Sequence, residues 1–465
     1  MLEGLEISVL NLSEIENFGD LSSEYYLSEY IKKSLEIRKM KYFPIGDISF
    51  VTDGEHGSPD WDVNSNIKYI TAEYVKPNYI QDGNFKTISK EQDNRNARAH
   101  LKENDVLIYS VGAYAGYSAK AEKHLFPANI PRSVAIVRPN ELLNSEYLSV
   151  FLNSKFGEFQ TKRFRAGNSQ PVLALEKIKQ FEVPILVEAF QDKIAVIYNQ
   201  AYNYRQETKS LYIQAENLLL KEIGLQDFKP SKEPVNIKNF RDSFATSGRL
   251  DAEYYQPKYD DYLELIESYS NGSEVISTIC NLNGKNYKPE DKNEYKYIEL
   301  SNVGKTGDIN GCTVNYGKEL PSRARRKVNT GDVIISSIEG SLQSCALVSK
   351  EYNNALCSTG FYVINSDLIN SESLLVLFKS ELMQNILKQN CSGTILTGLN
   401  KDDFLNIRIP KIIEAKQQQI ADLIEQSFSL KKQSEHLLEV AKKAVEIAIE
   451  EDEAVALAYI KEETR

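Results

Sequence analysis

The sequence predicts an α+β protein built from two tandem copies of one unit, each a mixed α/β globular domain followed by a long helix. Three observations predict this fold class: an internal repeat, short β-rich runs broken by helical patches in each copy, and two long series of apolar residues with helical spacing. The 465 residues alone would suggest three domains. The repeat instead divides the chain into halves and gives the fold a pseudo-two-fold internal symmetry.

The internal repeat is long and has no gap over its central part. Residues 145–219 match 371–445 at a constant offset, and upstream the offset drifts slightly, as loop insertions would cause. The clearest upstream matches are NDVLIYSVG (104–112) with GDVIISSIE (331–339), and SSEYYLSEY (22–30) with DAEYYQPKY (251–259). A gapless match of this length indicates a duplication.

Each copy has the same order of predicted elements. A short helical segment precedes β-rich runs such as YITAEYV, DVLIYSV, SVAIVRP and FEVPILV, with the helical patch EYLSVFLNSKFGEFQTKRF among them. Pro184 or Pro410 then ends the globular domain, and a long helix begins near residue 188 or 412. The predicted boundaries are an N-terminal helical segment (1–40), domain 1 (41–185), a central helix (186–225), a linker and helical segment (226–269), domain 2 (270–410), and a C-terminal helix with an acidic tail (411–465).

The two long helices carry the clearest periodicity, a heptad seam in which mostly small and mostly large residues alternate. Small seam residues allow two helices to approach closely, so we expect the helices to pair antiparallel as a coiled-coil-like spacer that holds the domains at a fixed distance. A helix packed only on its own domain would show a wider apolar stripe. The predicted pairing residues are Ile194, Ile197, Ala201, Tyr204, Leu211 and Leu218 in the first helix, and Ile420, Leu423, Leu430, Leu437 and Ala441 in the second.

The formal net charge of −11 at first excludes a nucleic-acid-binding protein, but the charge is unevenly distributed. Segments 1–40, 186–269 and 411–465 each carry −4, whereas domain 1 carries +1 and domain 2 carries 0. The net negative charge therefore lies on the helical and terminal segments, where it suits a surface that meets protein partners. The domains are left close to neutral, with clustered bases.

The basic clusters precede the same strand in both copies and stand beside small polar loops. Arginine and lysine can hold phosphates there, while asparagine, glutamine and arginine can form paired hydrogen bonds with base edges. A solvated surface loop is the alternative interpretation. The candidate DNA-binding residues are Arg95, Arg98, Lys162, Arg163, Arg165, Asn168 and Gln170 in the first copy, and Arg323, Arg325, Arg326 and Lys327 in the second.

Catalytic and cofactor motifs are weak. The four histidines are scattered, the five cysteines form no CxxC, and Gly304-Lys305-Thr306 lacks the first glycine of a P-loop because residue 299 is Glu. Asp60, Glu73 and Lys76 imitate the metal-dependent nuclease pattern of two carboxylates and a lysine, so a metal-dependent DNA endonuclease is one alternative. We otherwise expect no catalytic residue, metal or cofactor site.

Location is suggested by two further absences in the sequence. No apolar run reaches the ~18 residues of a membrane-spanning helix. The acidic start MLEGLEISVLNLSEIENF does not favour export. We therefore expect a cytoplasmic protein.

The repeated layout resembles the specificity (S) subunits of type I restriction–modification systems over nearly the whole chain. The resemblance rests on RLDAEYYQPKY (249–259) and its partner SSEYYLSEY (22–30), on the KYI…DVLIYSVG and KYI…DVIISSIE pairs, and on the strands that end at Pro184 and Pro410 before EAxQ and a long helix. No single motif is specific, but their repeated order is.

The resemblance implies a phage-defence function. Each domain would be a target-recognition domain that reads one half of a bipartite, asymmetric double-stranded DNA sequence. The helices would be conserved spacers that dock two methyltransferase (M) subunits, with restriction/translocase (R) subunits joining the complex. S-adenosylmethionine, ATP and Mg²⁺ would belong to those partners, and the S subunit would not be an enzyme itself. A non-DNA scaffold that pairs two domains through helices is a further alternative.

Overall fold

The computed structural model of the chain describes residues 25–167, 170–393 and 397–465, and these form two compact units. Unit 1 contains the described residues up to Tyr204 together with Lys432–Arg465, and unit 2 is Arg205–Lys431. The candidate residue Asn168 lies outside the described residues. No helix in the described ranges is long and apolar enough to cross a membrane.

Unit 1 contains the first domain and one half of each long helix. Its elements are α1 Ser28–Arg38, β1 Tyr42–Pro44, α2 Ile45–Ile48, β2 Ser49–Asp53, β3 Lys68–Tyr69, β4 Val75–Lys76, β5 Tyr79–Ile80, α3 Lys90–Arg95, β6 Val106–Tyr109, β7 Ser118–Lys120, β8 Ala128–Asn129, β9 Val134–Pro139, α4 Ser145–Leu152, α5 Lys155–Phe164, α6 Leu175–Ile178, β10 Glu182–Pro184 and the start of α7 Glu188–Glu222.

Unit 2 repeats this plan, but its strands over residues 294–327 are four or five residues long, whereas the strands over residues 68–80 of unit 1 have two residues each. Its elements are α8 Phe244–Ser247, α9 Pro257–Glu267, β11 Ser273–Val275, α10 Ile276–Ile279, β12 Asn281–Leu282, β13 Glu294–Ile298, β14 Thr313–Tyr316, β15 Ala324–Lys327, β16 Val333–Ser336, β17 Cys345–Leu347, β18 Leu356–Ser358, β19 Phe361–Asn365, α11 Ser371–Lys379, α12 Glu381–Gln389, β20 Cys391–Ser392, β21 Gly398–Leu399, α13 Lys401–Asn406, β22 Arg408–Pro410 and the start of α14 Glu414–Glu450. The end of α14 and helix α15 Glu453–Glu463 belong to unit 1.

The central sheets of the two units have the same topology. In unit 1 the strand order is β2-β9-β6-β7, and in unit 2 it is β12-β19-β16-β17, with every neighbouring pair antiparallel. A separate two-stranded ladder pairs the first and last strands of each domain, β1 with β10 and β11 with β22. The predicted α+β fold with an internal repeat is confirmed.

One predicted strand and one predicted helical patch differ from expectation. YITAEYV is not a single strand: β3 and β4 are separated by a 3-10 turn over Ala72–Tyr74. The patch at 146–164 forms two helices, because Ser154 lies in extended backbone and its hydroxyl accepts a hydrogen bond from the Phe156 amide as the cap of α5.

Each long helix is fixed to its domain by a buried glutamine in its first turn. The Gln191 side chain accepts from the Asn144 amide at 2.9 Å and donates to the carbonyls of Leu142 at 3.3 Å and Leu186 at 3.0 Å. Gln417 makes the same three bonds, to Asn370 at 2.8 Å, Leu368 at 2.9 Å and Ile412 at 2.7 Å. This is the Gln of the repeated EAxQ motif.

The long helices pair antiparallel inside each unit, as the seam predicts. In unit 1 the Ser434 hydroxyl donates to the Ala201 carbonyl at 2.7 Å. In unit 2 the Ser427 hydroxyl donates to the Thr208 carbonyl at 2.9 Å, and the Thr208 hydroxyl returns a 3.2 Å bond to Ser427. Side-chain-to-backbone bonds of this kind require close helix approach, which the small seam residues provide.

The predicted pairing residues differ in how deeply they are buried. Seven are buried: Ile194, Ile197, Ala201, Leu211, Ile420, Leu437 and Ala441. Four are half-buried: Tyr204, Leu218, Leu423 and Leu430. The buried residues of unit 1 join a core that includes Tyr147 and Phe151 of domain 1, so the long helices and the domain share one apolar core.

In each unit an ion pair joins the short helix to the last strand of the domain. The acid and the base exchange places between the two units. In unit 1, Arg38 of α1 pairs with Glu182 of β10 at 2.6 Å. In unit 2 the acid is on the helix and the base on the strand, with Glu267 of α9 and Arg408 of β22 separated by 3.7 Å.

Candidate nucleic-acid interface

Two loops of unit 1 lie together where β6 ends and β7 begins. The Gly112 amide donates to the Pro171 carbonyl at 2.9 Å, and the Leu173 amide donates to Ser110 at 2.8 Å. These bonds join the loop 110–117 to the described parts of the loop 165–173. We call this region the loop edge of unit 1.

Unit 2 has the same arrangement, formed by the loop 337–344 and the described parts of the loop 391–399. The Glu339 amide donates to the Thr397 carbonyl at 3.2 Å, and the Leu399 amide donates to Ser337 at 2.8 Å. The Ser337 amide also donates to Gly360 at 2.9 Å, as the Ser110 amide does to Ser133 at 2.9 Å in unit 1. We call this region the loop edge of unit 2.

Two predicted basic residues of unit 1 stand beside the end of β2, the strand next to β9. Arg98 pairs with Asp53 at 2.9 Å and Arg95 approaches Glu55 at 3.4 Å. Both arginine side chains are more than half exposed. Their acidic neighbours orient them and reduce the positive potential that a phosphate would meet.

The four predicted bases of unit 2 lie on or just before β15. Arg325 donates to the Ser322 carbonyl at 2.8 Å, Arg326 donates to the Asn286 side chain at 2.9 Å, and the Lys327 ammonium lies 5.5 Å from the Tyr287 ring centroid. Arg323 is exposed, and its carbonyl accepts from the Thr359 amide, two residues before β19. Arg323 therefore lies near the loop edge of unit 2, because Gly360, the residue after Thr359, accepts from the Ser337 amide.

The remaining predicted residues of unit 1 fall into two groups. Lys162, Arg165 and Gln170 are exposed, and Lys162 also pairs with Glu158 at 2.6 Å. Arg163 is 8% exposed, and its guanidinium donates to the Tyr25 carbonyl at 3.0 Å and to the Ser34 hydroxyl at 3.1 Å. The prediction of Arg163 as a DNA contact is wrong, because its donors are directed into the domain.

The sequence contained a signal for the burial of Arg163. Phe156, Phe159, Gln160 and Arg163 recur at the three- and four-residue spacing of one helix face, and all four are buried in α5. Arg163 therefore belongs to the inward face of the helix, whereas the neighbouring Lys162 belongs to the outward face.

Sequence reasoning missed the aromatic residues at the loop edge of unit 1. Tyr114 is 54% exposed, and its ring stacks on that of Tyr117 with centroids 5.3 Å apart. Gly112 and Gly116 flank it with φ of 131° and 105°, which side chains rarely adopt, so the glycines set the loop shape. Tyrosine can contact apolar groups and donate from its hydroxyl.

The loop edges offer little for nucleophilic or metal chemistry. Burial raises the pKa of the Cys345 thiol to about 12 and that of Cys391 to about 11, so both stay protonated at neutral pH. Across the described residues, no group of three or more His, Cys, Asp and Glu side chains is placed to hold a metal ion.

The nuclease alternative finds no support in the structure. The Asp60 carboxylate accepts from the Ser89 hydroxyl at 2.6 Å, and Glu73 accepts from the Thr71 hydroxyl at 3.0 Å. Among the contacts of the described residues, none joins Asp60, Glu73 and Lys76 to one another.

The repeated sheet and its loop edge are the fold on which comparison with protein families bears. Residues 275–440 match the model described as the type I restriction modification DNA specificity domain. The matched residues span most of domain 2 and much of α14. The predicted resemblance is confirmed, and with it the function of a DNA specificity subunit of a type I restriction–modification system.

Some solved structures are similar to this chain. The chain is similar to a type I restriction–modification S subunit from M. genitalium, at 12% identity, 88% and 96% coverage of the two chains, and a TM-score of 0.43. It is also similar to the HsdS subunit from Thermoanaerobacter tengcongensis, at 12% identity, 89% and 97% coverage, and a TM-score of 0.30. No curated protein matches the sequence.

Proposed function

We propose that the chain reads a bipartite, asymmetric double-stranded DNA target, with one half-site read at the loop edge of each unit. The observation that carries this proposal is the recurrence of the loop edge on the same sheet topology, with the same pair of loop-to-loop bonds in both units. Base readout needs exposed polar and apolar side chains supported by a rigid frame. The two edges differ in those side chains, so two different half-sites are read.

The long helices act as the spacer between half-sites and as a docking surface for two methyltransferase subunits, and restriction subunits join the complex through them. The acidic segments 186–269 and 411–465 support this, since their charge repels DNA and suits protein partners. The chain itself has no catalytic role. S-adenosylmethionine, ATP and Mg²⁺ are used by the partners, and the complex acts in the cytoplasm.

The isolated chain should bind DNA weakly. Domain charges of +1 and 0 give little electrostatic attraction, and the ion pairs of Arg95 and Arg98 with acids reduce it further in unit 1. Affinity for duplex DNA depends strongly on the number of phosphates that are neutralised. Adding methyltransferase subunits should therefore tighten binding greatly, and equal affinity with and without them would contradict this.

The decisive experiment is a modified-base map of the host genome with and without the gene. The proposal expects a bipartite motif of modified adenines that disappears when the gene is deleted. Replacing residues 41–185 with another recognition domain should then change one half of that motif and leave the other intact. If every genomic motif survived both changes, the chain would be a scaffold without a role in DNA recognition.

A direct assay separates the remaining alternative. The purified chain is incubated with DNA and Mg²⁺, with Asp60→Ala as the matched variant. We expect no cleavage by either protein. Cleavage by the wild type that Asp60→Ala abolished would establish the endonuclease instead.

A further inference from the structure

The segment that precedes each domain reaches the base of that domain's polar loop through a tyrosine. In the repeat, Tyr25 of SSEYYLSEY and Tyr254 of DAEYYQPKY occupy the same position. The Tyr25 carbonyl accepts from Arg163 in the last turn of α5, at 3.0 Å. The Tyr254 carbonyl accepts from Gln389, the last residue of α12, at 3.1 Å. Both helices lead directly into the loop edge.

An arginine stacks on each of these tyrosines, but the two arginines belong to different segments of their units. In unit 1 the Arg163 guanidinium lies 4.2 Å from the Tyr25 ring centroid and belongs to the helix that enters the loop. In unit 2 the Arg249 guanidinium lies 4.3 Å from the Tyr254 ring centroid and belongs to the preceding segment.

Arg249 also bonds directly to the loop. One of its nitrogens donates to the Cys391 carbonyl at 2.9 Å, and the guanidinium is held in two bonds, of 2.8 and 2.6 Å, by the Asp251 carboxylate. Cys391 pairs with Leu399 in the short β20–β21 ladder that closes the loop 391–399. Arg249 therefore connects the Tyr254 ring, the Asp251 carboxylate and the base of the loop in one cluster of contacts.

We propose that Arg249 and Arg163 are positioning residues for DNA readout, each fixing the loop edge of its own unit without touching DNA. The inference rests on the proposed function. A planar guanidinium can stack on a ring and donate in several fixed directions, which a lysine ammonium cannot reproduce. A shift of the loop base weakens base-edge hydrogen bonds, which require a narrow range of distance and angle. The RLDAEYY motif is then a support for the second recognition loop.

The test uses the full chain co-expressed with the methyltransferase subunits of its system. Methylation rates are measured on duplexes that carry the cognate target or a single base change in one half-site. Arg249→Gln should reduce discrimination in the half-site read by domain 2 by about tenfold, the loss expected from one weakened hydrogen bond to a base. Discrimination in the other half-site should not change. Arg163→Gln should give the reverse result.

Two further variants separate positioning from folding. Arg249→Lys keeps the charge and the aliphatic stem, and it should not restore discrimination, because the stack and the fork of donors are lost. Arg241→Gln makes the same charge change at an exposed position of the same segment, and it should leave both half-sites unaffected. Thermal unfolding of each variant is measured in parallel.

Several results would overturn the inference. Unchanged discrimination in Arg249→Gln, or an equal loss in both half-sites, would do so. If Arg249→Gln fails to fold, Arg249→Lys decides, and wild-type discrimination in that variant counts against positioning. A wild-type complex that shows no bipartite motif would instead refute the proposed function itself.

Discussion

The two domains carry the same sheet but present different surfaces at its loop edge. Between β6 and β7, unit 1 exposes Tyr114 stacked on Tyr117, whereas the loop of equal length in unit 2 carries Ser341 and Ser344 at those positions. The neighbouring basic residues also lie on different elements: Arg95 is the last residue of α3 and Arg98 follows that helix, while Arg325 lies on β15. The comparison teaches that the frame is kept while the reading residues and their supports vary.

The shared frame can be tested first through its cores, where the largest effect is expected. Phe151 and Leu377 occupy the same repeat position and are fully buried. Phe151→Ala should destabilise unit 1 by about 3–5 kcal/mol, because it leaves a cavity in a packed core. Amide hydrogen exchange should accelerate in β6 and β9. Matching acceleration in β16 and β19 would show that the units do not unfold separately, and Leu377→Ala is the reciprocal variant.

The second test asks whether the two glutamine anchors are equivalent. Gln191→Leu and Gln417→Leu should each cost about 2–3 kcal/mol, since each leaves one buried amide and two carbonyls without their partner. Chemical denaturation of the two variants measures the free energy of unfolding. Losses that differed by more than about twofold would show that the anchors are not equivalent.

Substitutions in the helix seam should have a smaller effect on the free energy of unfolding. They compare the part of the helix pair in unit 1 with the part in unit 2. Ser434→Leu should cost about 1–3 kcal/mol by overpacking the close approach to Ala201. Ser434→Ala should cost only about 1 kcal/mol, the value of one hydrogen bond. Thermal melting of both variants, with Ser427→Ala as the counterpart in unit 2, provides the measurement. A Leu variant as stable as wild type would show that the helices are not closely packed there.

The smallest effect is expected from the ion pairs of opposite polarity. Arg38→Glu should cost about 1 kcal/mol or less, because the pair is partly exposed and the variant places two acids together. The double variant Arg38→Glu with Glu182→Arg copies the polarity of unit 2 and should recover the loss. A double-mutant cycle in denaturant measures the coupling. Absence of any recovery would mean that the charges do not interact.

Periodic features of the chain were predictable from the sequence, but the directions in which individual side chains point were not. The repeat and the heptad seam gave the two-unit fold and the close helix pairing, because both depend on spacing alone. Asn144 and Asn370, each one residue before the gapless match begins, cap their helices at equivalent positions. Such features need no knowledge of distant contacts.

The site was only partly predictable, for a physical reason. Arg163 looked like Lys162 in a basic run, yet helix phase turns one inward and the other outward. Tyr114 belongs to a loop whose exposure depends on contacts with Pro171, more than fifty residues away. A charge pattern identifies the neighbourhood of an interface, whereas tertiary packing decides which side chains face solvent.

The reversed polarity of the Arg38–Glu182 and Glu267–Arg408 pairs has a consequence for inheritance. A recombination event that moved domain 2 behind α1 would set Arg408 against Arg38, and the reciprocal event would set Glu182 against Glu267. Like charges at this junction disfavour both chimaeras. New specificities would therefore be acquired more readily when a short helix and its own domain are exchanged together as a cassette.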